Sequence, residues 1–387
     1  MNQTDNKPFA YKTSSELKRA RFIFWIFKYP GIANALQQLL KIALKLNLPV
    51  GFILKKTVYG HFVGGGSIEK SNDVIERMAV YGVQSILDYS VEGGKDEKGF
   101  RHALIETRRT IYNASENQNI PFAVFKPSAL TYEWVLKQEN KPELDRETRA
   151  FEKRMCMLFK LAHDQHVPLL VDAEDVAFQD IIDHIVEKGM RIFNKAEPIV
   201  YQTLQMYRTD RLDYLKRLIQ DAEKGNYSLG IKLVRGAYLE KEREIAAAQG
   251  QQSPVYPDKE GTDNAYNDAL RLCMQHFDRV AVFNGTHNKQ SCDLLKQLMK
   301  EKGLDNTDKN VYFAQLYGMS DDLSFNLASE SYNVAKYLPY GPVKQVMPYL
   351  MRRAEENSAV EDQADNEYKE ITNELKRRKQ GNHGNKQ

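Results

Sequence analysis

Tyr337-Leu-Pro-Tyr-Gly-Pro-Val-Lys-Gln-Val-Met-Pro-Tyr-Leu-Met-Arg-Arg-Ala-Glu-Glu-Asn357 reads as a buried strand, a Gly-Pro turn and then a helix. On that helix Tyr349, Arg352, Arg353 and Glu356 recur three or four residues apart and share one side. Two adjacent guanidiniums are costly to desolvate unless something anionic meets them, and their planar forks suit a carboxylate. A glutamate one turn on fixes one of them and leaves the other for a ligand. Taken alone, Arg-Arg-x-x-Glu reads as a solvated helix face with an intrahelical ion pair. The aromatic flank and the Gly-Pro turn weigh against that bland reading.

The same strand-then-helix unit recurs along the chain. Short apolar runs occupy Gly82–Tyr89, Phe122–Ser128, Pro168–Ala173, Pro198–Gln205, Gly230–Ala237, Arg279–Gly285, Val311–Leu316 and Asn333–Leu338. Helical patterns lie between nearly all of them, as in Arg146–Gln165 and Arg211–Lys224. Such alternation without strong hairpin turns predicts parallel strands with crossover helices. Eight strands close a (β/α)8 TIM-type barrel, with a doubly wound open sheet as the competing arrangement. The expected organisation is a helical, basic N-terminal arm over residues 1–78, a barrel over 79–358, and a charged C-terminal helix and tail over 359–387. Within that tail Glu361–Lys379 is expected as an exposed helix and Gln380–Gln387 as disorder.

Polar residues gather at the C-terminal ends of the runs. They are Asp88 and Glu92, Lys126 and Ser128, Asp172 and Glu174, Gln205 and Tyr207, then Lys232, Arg235 and Tyr238. Thr286, His287 and Asn288 follow, then Gln315 and Leu316, then Tyr337 and Tyr340. Barrel enzymes carry their chemistry on this rim, where loops converge on a rigid scaffold.

Composition narrows the function classes. The 387 residues carry a net charge of only +3, with no nucleic-acid recognition motif. Residues 1–60 hold ten Lys/Arg against Asp5 and Glu16, a local net of +8, which leaves about −5 elsewhere. The helical spacing of Ile32, Leu36, Leu39, Leu40, Ala43 and Leu44 makes this arm amphipathic. Tyr29-Pro30-Gly31 separates it from the aromatic segment Phe22–Phe27. The arm either packs on the main domain or lies on an anionic membrane surface. Gly64-Gly65-Gly66 is expected as a hinge or tight turn, and neither P-loop nor dinucleotide fingerprint occurs. Cys156, Cys273 and Cys292 are far apart, which suggests a reducing compartment, and His163 and His166 lack further ligands nearby, so no metal site is expected. No signal peptide is legible, and the six-residue apolar run Phe22–Phe27 falls far short of a transmembrane helix.

With these motifs in view, the chain resembles the FAD-dependent proline dehydrogenases, the proline-oxidising barrels found alone or within bifunctional proline-utilisation proteins. The resemblance rests on Lys232-Leu-Val-Arg-Gly-Ala-Tyr-Leu239, Thr286-His-Asn288, Tyr349-Leu-Met-Arg-Arg-Ala-Glu-Glu-Asn357, Val171-Asp-Ala-Glu174, Phe125-Lys-Pro-Ser-Ala-Leu130 and Gln315-Leu-Tyr-Gly-Met319. It implies that Arg352 and Arg353 take the substrate carboxylate, with the final helix over the barrel mouth. Tyr337, Tyr349, Leu316, Tyr238 and Lys126 would line the proline pocket, supported by Asp172 and Glu356. Gln205, Lys232, Arg235, Thr286, His287 and Gln315 would hold FAD. Many relatives carry Arg where this chain has Lys232, and relatives that prefer hydroxyproline carry a smaller residue where it has Tyr337.

The residue types agree with that chemistry. Oxidising a saturated amino acid at the carbon beside nitrogen requires a hydride acceptor, which no side chain supplies. The protein contributes a carboxylate clamp, aromatic walls and a cation near the reduced flavin. The implied product is pyrroline-5-carboxylate, and Lys126, Asp172 and water all remain candidates for the amine proton. The implied electron acceptor is a membrane quinone, with the protein peripheral to the cytoplasmic side of an inner membrane through residues 1–60. A methylenetetrahydrofolate reductase-like flavin barrel and a catalytically silent membrane-associated barrel are the alternatives. The first of these gives the paired arginines no obvious role.

Overall fold

The computed structural model describes residues 8–29, 31–33, 35, 36, 38, 39, 46, 54–91, 96–359 and 361–384, with side chains undescribed at 354–359, 361–363 and 381–384. Eight strands appear where the apolar runs predict them: β1 (Val83–Tyr89), β2 (Ala123–Phe125), β3 (Leu169–Val171), β4 (Val200–Gln205), β5 (Leu229–Val234), β6 (Val280–Gly285), β7 (Val311–Leu316) and β8 (Val334–Tyr340). Their order in the sheet is β1-β8-β7-β6-β5-β4-β3-β2. From β2 to β7 each strand pairs in parallel with its successor. Placing β8 beside β1 is what a closed barrel demands, since a doubly wound sheet keeps its first and last strands apart. The fold is a (β/α)8 barrel.

Helices follow the strands: α3 (Glu97–Glu116), α4 (Leu144–Asp164), α5 (Val176–Phe193), α6 (Arg211–Gly225), α7 (Leu239–Ala248), α8 (Lys259–Gln275), α9 (Lys289–Glu301), α10 (Asp321–Ser329) and α11 (Met347–Ala359). They are preceded by α1 (Ser14–Phe27) and α2 (Ile68–Ala79), and followed by α12 (Glu361–Gly384). Their starts are written locally. Ser67, Asp96, Asp258 and Asn288 each accept a backbone N–H three residues on, satisfying a donor the helix leaves orphaned.

By compactness the chain divides into one unit of residues 93–314 and 331–335 and another of 1–92, 315–330 and 336–387. Inside the first, an aromatic cluster lies towards the strands' N-terminal ends. Phe122 meets Tyr201, Phe283 and Tyr312 edge-on at ring separations of 5.4, 5.1 and 4.8 Å. Gly230 makes room for it, because a Cβ there would stand 2.5 Å from the Tyr201 ring. With side chains alternating along β5, Gly230 and Lys232 therefore share a face.

Two expectations for the other unit are revised. The glycine run is no hinge: Gly64 donates to the Pro339 carbonyl (2.8 Å), and the Gly65 carbonyl accepts from Gly341 (3.0 Å), so it runs alongside the end of β8. Nor is the C-terminal helix exposed. It runs to Gly384, through part of the stretch expected as disorder, and buries Ala364, Ile371 and Leu375. These share an apolar cluster with Leu17, Ala20, Phe24 and Phe27 of α1 and with Met347, Tyr349 and Leu350 of α11. The reason is spacing: an apolar residue every third or fourth position makes a stripe even in a highly charged helix. α1 packs by one face, while the expectations at Pro30, Leu40, Ala43, Leu44 and Glu92 lie outside the described residues.

Candidate active site

Three predicted residues meet where β2, β3 and β5 end. Lys232 Nζ lies 2.6 Å from Asp172 Oδ1, and Lys126 Nζ lies 3.5 Å from Oδ2. Burial pushes the Asp172 carboxyl up, but the two ammonium groups outweigh it and hold the group below the ordinary carboxylate range. Two residues on, Glu174 is buried and accepts the Ser128 backbone N–H at 2.9 Å. Here burial wins, and the carboxyl is pushed up to about 6. The carbonyl of Glu174 accepts from Gln205 Nε2 at 2.6 Å, so that predicted cofactor residue is oriented by the same loop. Behind it the Glu174 N–H donates to Gln179, and Gln179 donates to Asp183, which pairs with Arg211 at 2.6 Å.

A second cluster sits at the ends of β5 and β6. Arg235 donates through Nε to Asp263 (2.6 Å), through Nη1 to Thr286 Oγ1 (2.6 Å) and through Nη2 to Ser291 Oγ (3.0 Å), and its guanidinium lies 4.5 Å over the Tyr266 ring. His287 is half-buried, and Asn288 beside it caps α9. Tyr238, half-buried, immediately precedes α7. Cationic and hydroxyl groups beside a helix N-terminus form a donor set that suits a phosphate-bearing dinucleotide. With Lys232 and Gln205 they also suit a ring that gains negative charge on reduction. The residues present therefore fit FAD.

The remaining predicted residues belong to the other unit. Tyr337 and Tyr340 are buried in β8. Gln315, also buried, accepts from the Ser324 hydroxyl at 2.7 Å. Leu316 packs on the apolar cluster that contains Tyr349, so two predicted pocket residues share one set of neighbours. Arg352 and Arg353 are half-buried, and the Arg353 guanidinium lies 5.5 Å from the centre of the Tyr349 ring. The side chain of Glu356, expected to pair with one of them, lies outside the described residues.

The structure adds residues that no motif assigned a role: Asp183, Arg211, Asp263, and a buried cluster around Asp321 considered below. A local signal existed only for Asp183, a carboxylate on the buried face of the amphipathic α5, four residues after Gln179. Asp263 and Ser291 reach Arg235 across 28 and 56 residues of sequence, a separation no spacing rule covers.

Glu174 has a consequence for stability. Its pKa of about 6 exceeds the ordinary 4.5, so in between the folded chain holds a proton that the unfolded chain has lost. Stability contributed by this group is therefore lost as pH rises through that window, by roughly 2 kcal/mol in all. Urea unfolding of Glu174→Gln at several values between pH 4 and 7 should show a correspondingly flatter profile. A profile parallel to the parent's would mean that the carboxyl ionises normally.

A family model described as "Proline dehydrogenase" matches residues 71–366. The chain is 30% identical over 425 residues to the mitochondrial proline dehydrogenase 1 of Dictyostelium discoideum, covering 96% of this chain and 74% of that one. It is 34% identical over 332 residues to the carbapenem antibiotics biosynthesis protein CarD of Pectobacterium carotovorum, covering 84% and 85%. Among solved structures, proline utilization A from Bdellovibrio bacteriovorus, inactivated by N-propargylglycine, superposes with a TM-score of 0.73 at 18% identity. That match covers 90% of this chain and 37% of the larger one, and it bears on the fold alone. On the family match and the sequence identities, this chain belongs to the proline dehydrogenase family.

Proposed function

We propose that the chain oxidises L-proline to pyrroline-5-carboxylate with FAD as its cofactor and passes the electrons on to a quinone. The observation that carries this reading is the family match over residues 71–366, which takes in every residue given to substrate or flavin. Arg352 and Arg353 receive the substrate carboxylate, the geometry their planar forks favour. Tyr337, Tyr349, Leu316 and Tyr238 enclose the ring, with Tyr337 crowding a 4-hydroxyl. Gln205, Lys232, Arg235, Thr286, His287 and Gln315 hold the flavin, which supplies the hydride acceptor. Asp172, held anionic below the ordinary range, is a poor proton acceptor and instead orients Lys126 and Lys232. Lys126 Nζ stays at the rim to line the pocket.

The experiment is a spectrum and a turnover assay. Purified protein should be yellow, lose its flavin absorbance on adding proline, and reduce an artificial dye in a proline-dependent way. NADH oxidation without proline turnover would point instead to a reductase of the methylenetetrahydrofolate type. A colourless protein that stays inert when FAD and proline are supplied would leave only a binding role.

Quinone use implies contact with a membrane, and α1 offers a surface for it. Phe22, Trp25 and Tyr29 are exposed, 54%, 40% and 44% respectively, with the Trp25 ring stacked on Phe22 and meeting Tyr29 edge-on. Lys18 and Arg21 are exposed near them, while the acidic Glu16 lies on another face. An aromatic face flanked by cations suits the anionic headgroup boundary. Among the described residues no helix is long and apolar enough to cross a bilayer. Replacing all three aromatics by serine should weaken co-sedimentation with anionic liposomes about tenfold or more without changing stability. Equal partitioning of variant and parent would remove α1 from the argument.

A further inference from the structure

Between β7 and α10 the chain makes a tight turn at Leu316-Tyr-Gly-Met-Ser-Asp321. Gly318 (φ +85°) and Ser320 (φ 49°) both take left-handed backbone, and a Cβ at Gly318 would stand 2.6 Å from the His61 carbonyl oxygen. Ionic side chains gather round this turn. From β8, Lys336 Nζ donates to the carbonyls of Met319 (2.5 Å) and Leu316 (3.4 Å) and pairs with Asp321 Oδ1 at 2.9 Å. The other Asp321 oxygen takes Lys12 Nζ at 2.7 Å and the Tyr11 hydroxyl at 3.0 Å. From α12, the Glu367 carboxylate accepts the backbone N–H of Ser320. Arg378 of the same helix donates to the carbonyls of Phe9 (2.9 Å) and Lys12 (2.8 Å), closing the clasp on the N-terminal side. One turn into α10, Ser324 bonds Gln315.

Lys12, Lys336, Asp321 and Glu367 are all buried. Burying four ionisable groups is a poor route to stability, because desolvation offsets most of the attraction and apolar residues would do as well. What such a cluster does supply is one defined conformation, since each charge tolerates few alternative placements. The conformation it defines here belongs to the turn that begins at Leu316 and is tied to Gln315.

We infer that α12 is part of the working site, and that Glu367 is a positioning residue: through Ser320 and Ser324 it fixes how Leu316 and Gln315 are presented to substrate and cofactor. The inference rests on the proline-oxidising reading above, in which those two residues touch proline and flavin. The step from Glu367 to Gln315 is short. Glu367 holds the first N–H of the turn that starts α10, the Ser324 hydroxyl rides on that first helical turn, and Gln315 takes its orientation from that hydroxyl.

The test uses the full chain and four variants. Glu367→Ala should weaken FAD binding to the apoprotein, read by flavin fluorescence, about tenfold, and raise KM for proline more than it lowers kcat. Glu367→Gln keeps an acceptor for the Ser320 N–H and should restore both towards the parent values. Ser324→Ala, a small truncation, should reproduce the flavin effect and gives the answer if Glu367→Ala does not fold. Ile111→Ala, a fully buried truncation in α3 that involves neither the turn nor the pocket residues, should lower the unfolding midpoint while leaving FAD affinity and KM unchanged. Parent-like FAD affinity and KM in Ser324→Ala and in folded Glu367→Ala would overturn the inference, as would an equal loss in Ile111→Ala. Failure of the parent protein to oxidise proline would instead sink the reading of function on which it depends.

Discussion

Replacing Arg352 by alanine is expected to lower kcat/KM for proline by about a hundredfold or more, with most of the loss in KM, while FAD binding stays intact. A carboxylate held by a charged, planar donor gains charge-assisted hydrogen bonds worth roughly 1.5–3 kcal/mol each, and a forked contact makes two of them. Arg353 is braced over Tyr349 in the same helix, so the neighbouring guanidinium does not simply swing across to compensate. Arg352→Lys restores the charge without the fork and should recover only part of the loss. Dye-coupled kinetics on both variants, with flavin content measured alongside, separate a missing carboxylate contact from a missing cofactor. Parent-like KM in Arg352→Ala would show that this helix does not receive the substrate.

Asp321→Ala should be the most destabilising single change in the cluster, costing about 3–5 kcal/mol, because it removes the carboxylate that pairs directly with both buried lysines. Lys336 has no exposed surface and Lys12 only 6%. Neither reaches water without local unfolding. Lys336→Met should cost less, since Asp321 would keep Lys12 and the Tyr11 hydroxyl. The pH dependence follows from the direction of the Asp321 shift. Burial raises its carboxyl, but Lys12 and Lys336 outweigh that and hold it far below the ordinary range. A depressed folded pKa gives stability that is present above the unfolded value and lost only as pH falls through the folded one. The deficit of Asp321→Ala should therefore persist from neutral pH down through pH 4, and narrow only in stronger acid. Chemical denaturation at pH 7 and pH 4 measures this, and a deficit that vanishes by pH 4 would mean Asp321 titrates like an ordinary aspartate.

Parts of the structure were legible from the chain alone because they are local. Each strand announced itself as a short apolar run, and β7 begins and ends at the residues its run predicted, Val311 and Leu316. The rim residues were legible too, since a polar group at the end of a buried strand violates the run that precedes it. Lys126, Asp172 and Lys232 were singled out in this way, and they meet.

The C-terminal helix departs from its sequence expectation for an equally physical reason. Ile371 and Leu375 are isolated among lysines, arginines and glutamates, and only a neighbouring helix gives so thin a stripe something to bury against. The glycine run looked like a hinge because glycine freedom and close backbone approach leave the same mark on a sequence.

The strand–helix alternation, the barrel it implies and the short list of residues at the strand ends all follow from local pattern along the chain. Which charges meet was decided by the tertiary structure. Lys232 and Asp172 stand 60 residues apart in the chain, and Lys12 and Asp321 stand 309 apart. An ion pair draws its strength from burial and from separations of a few ångströms, and the folded chain sets both quantities.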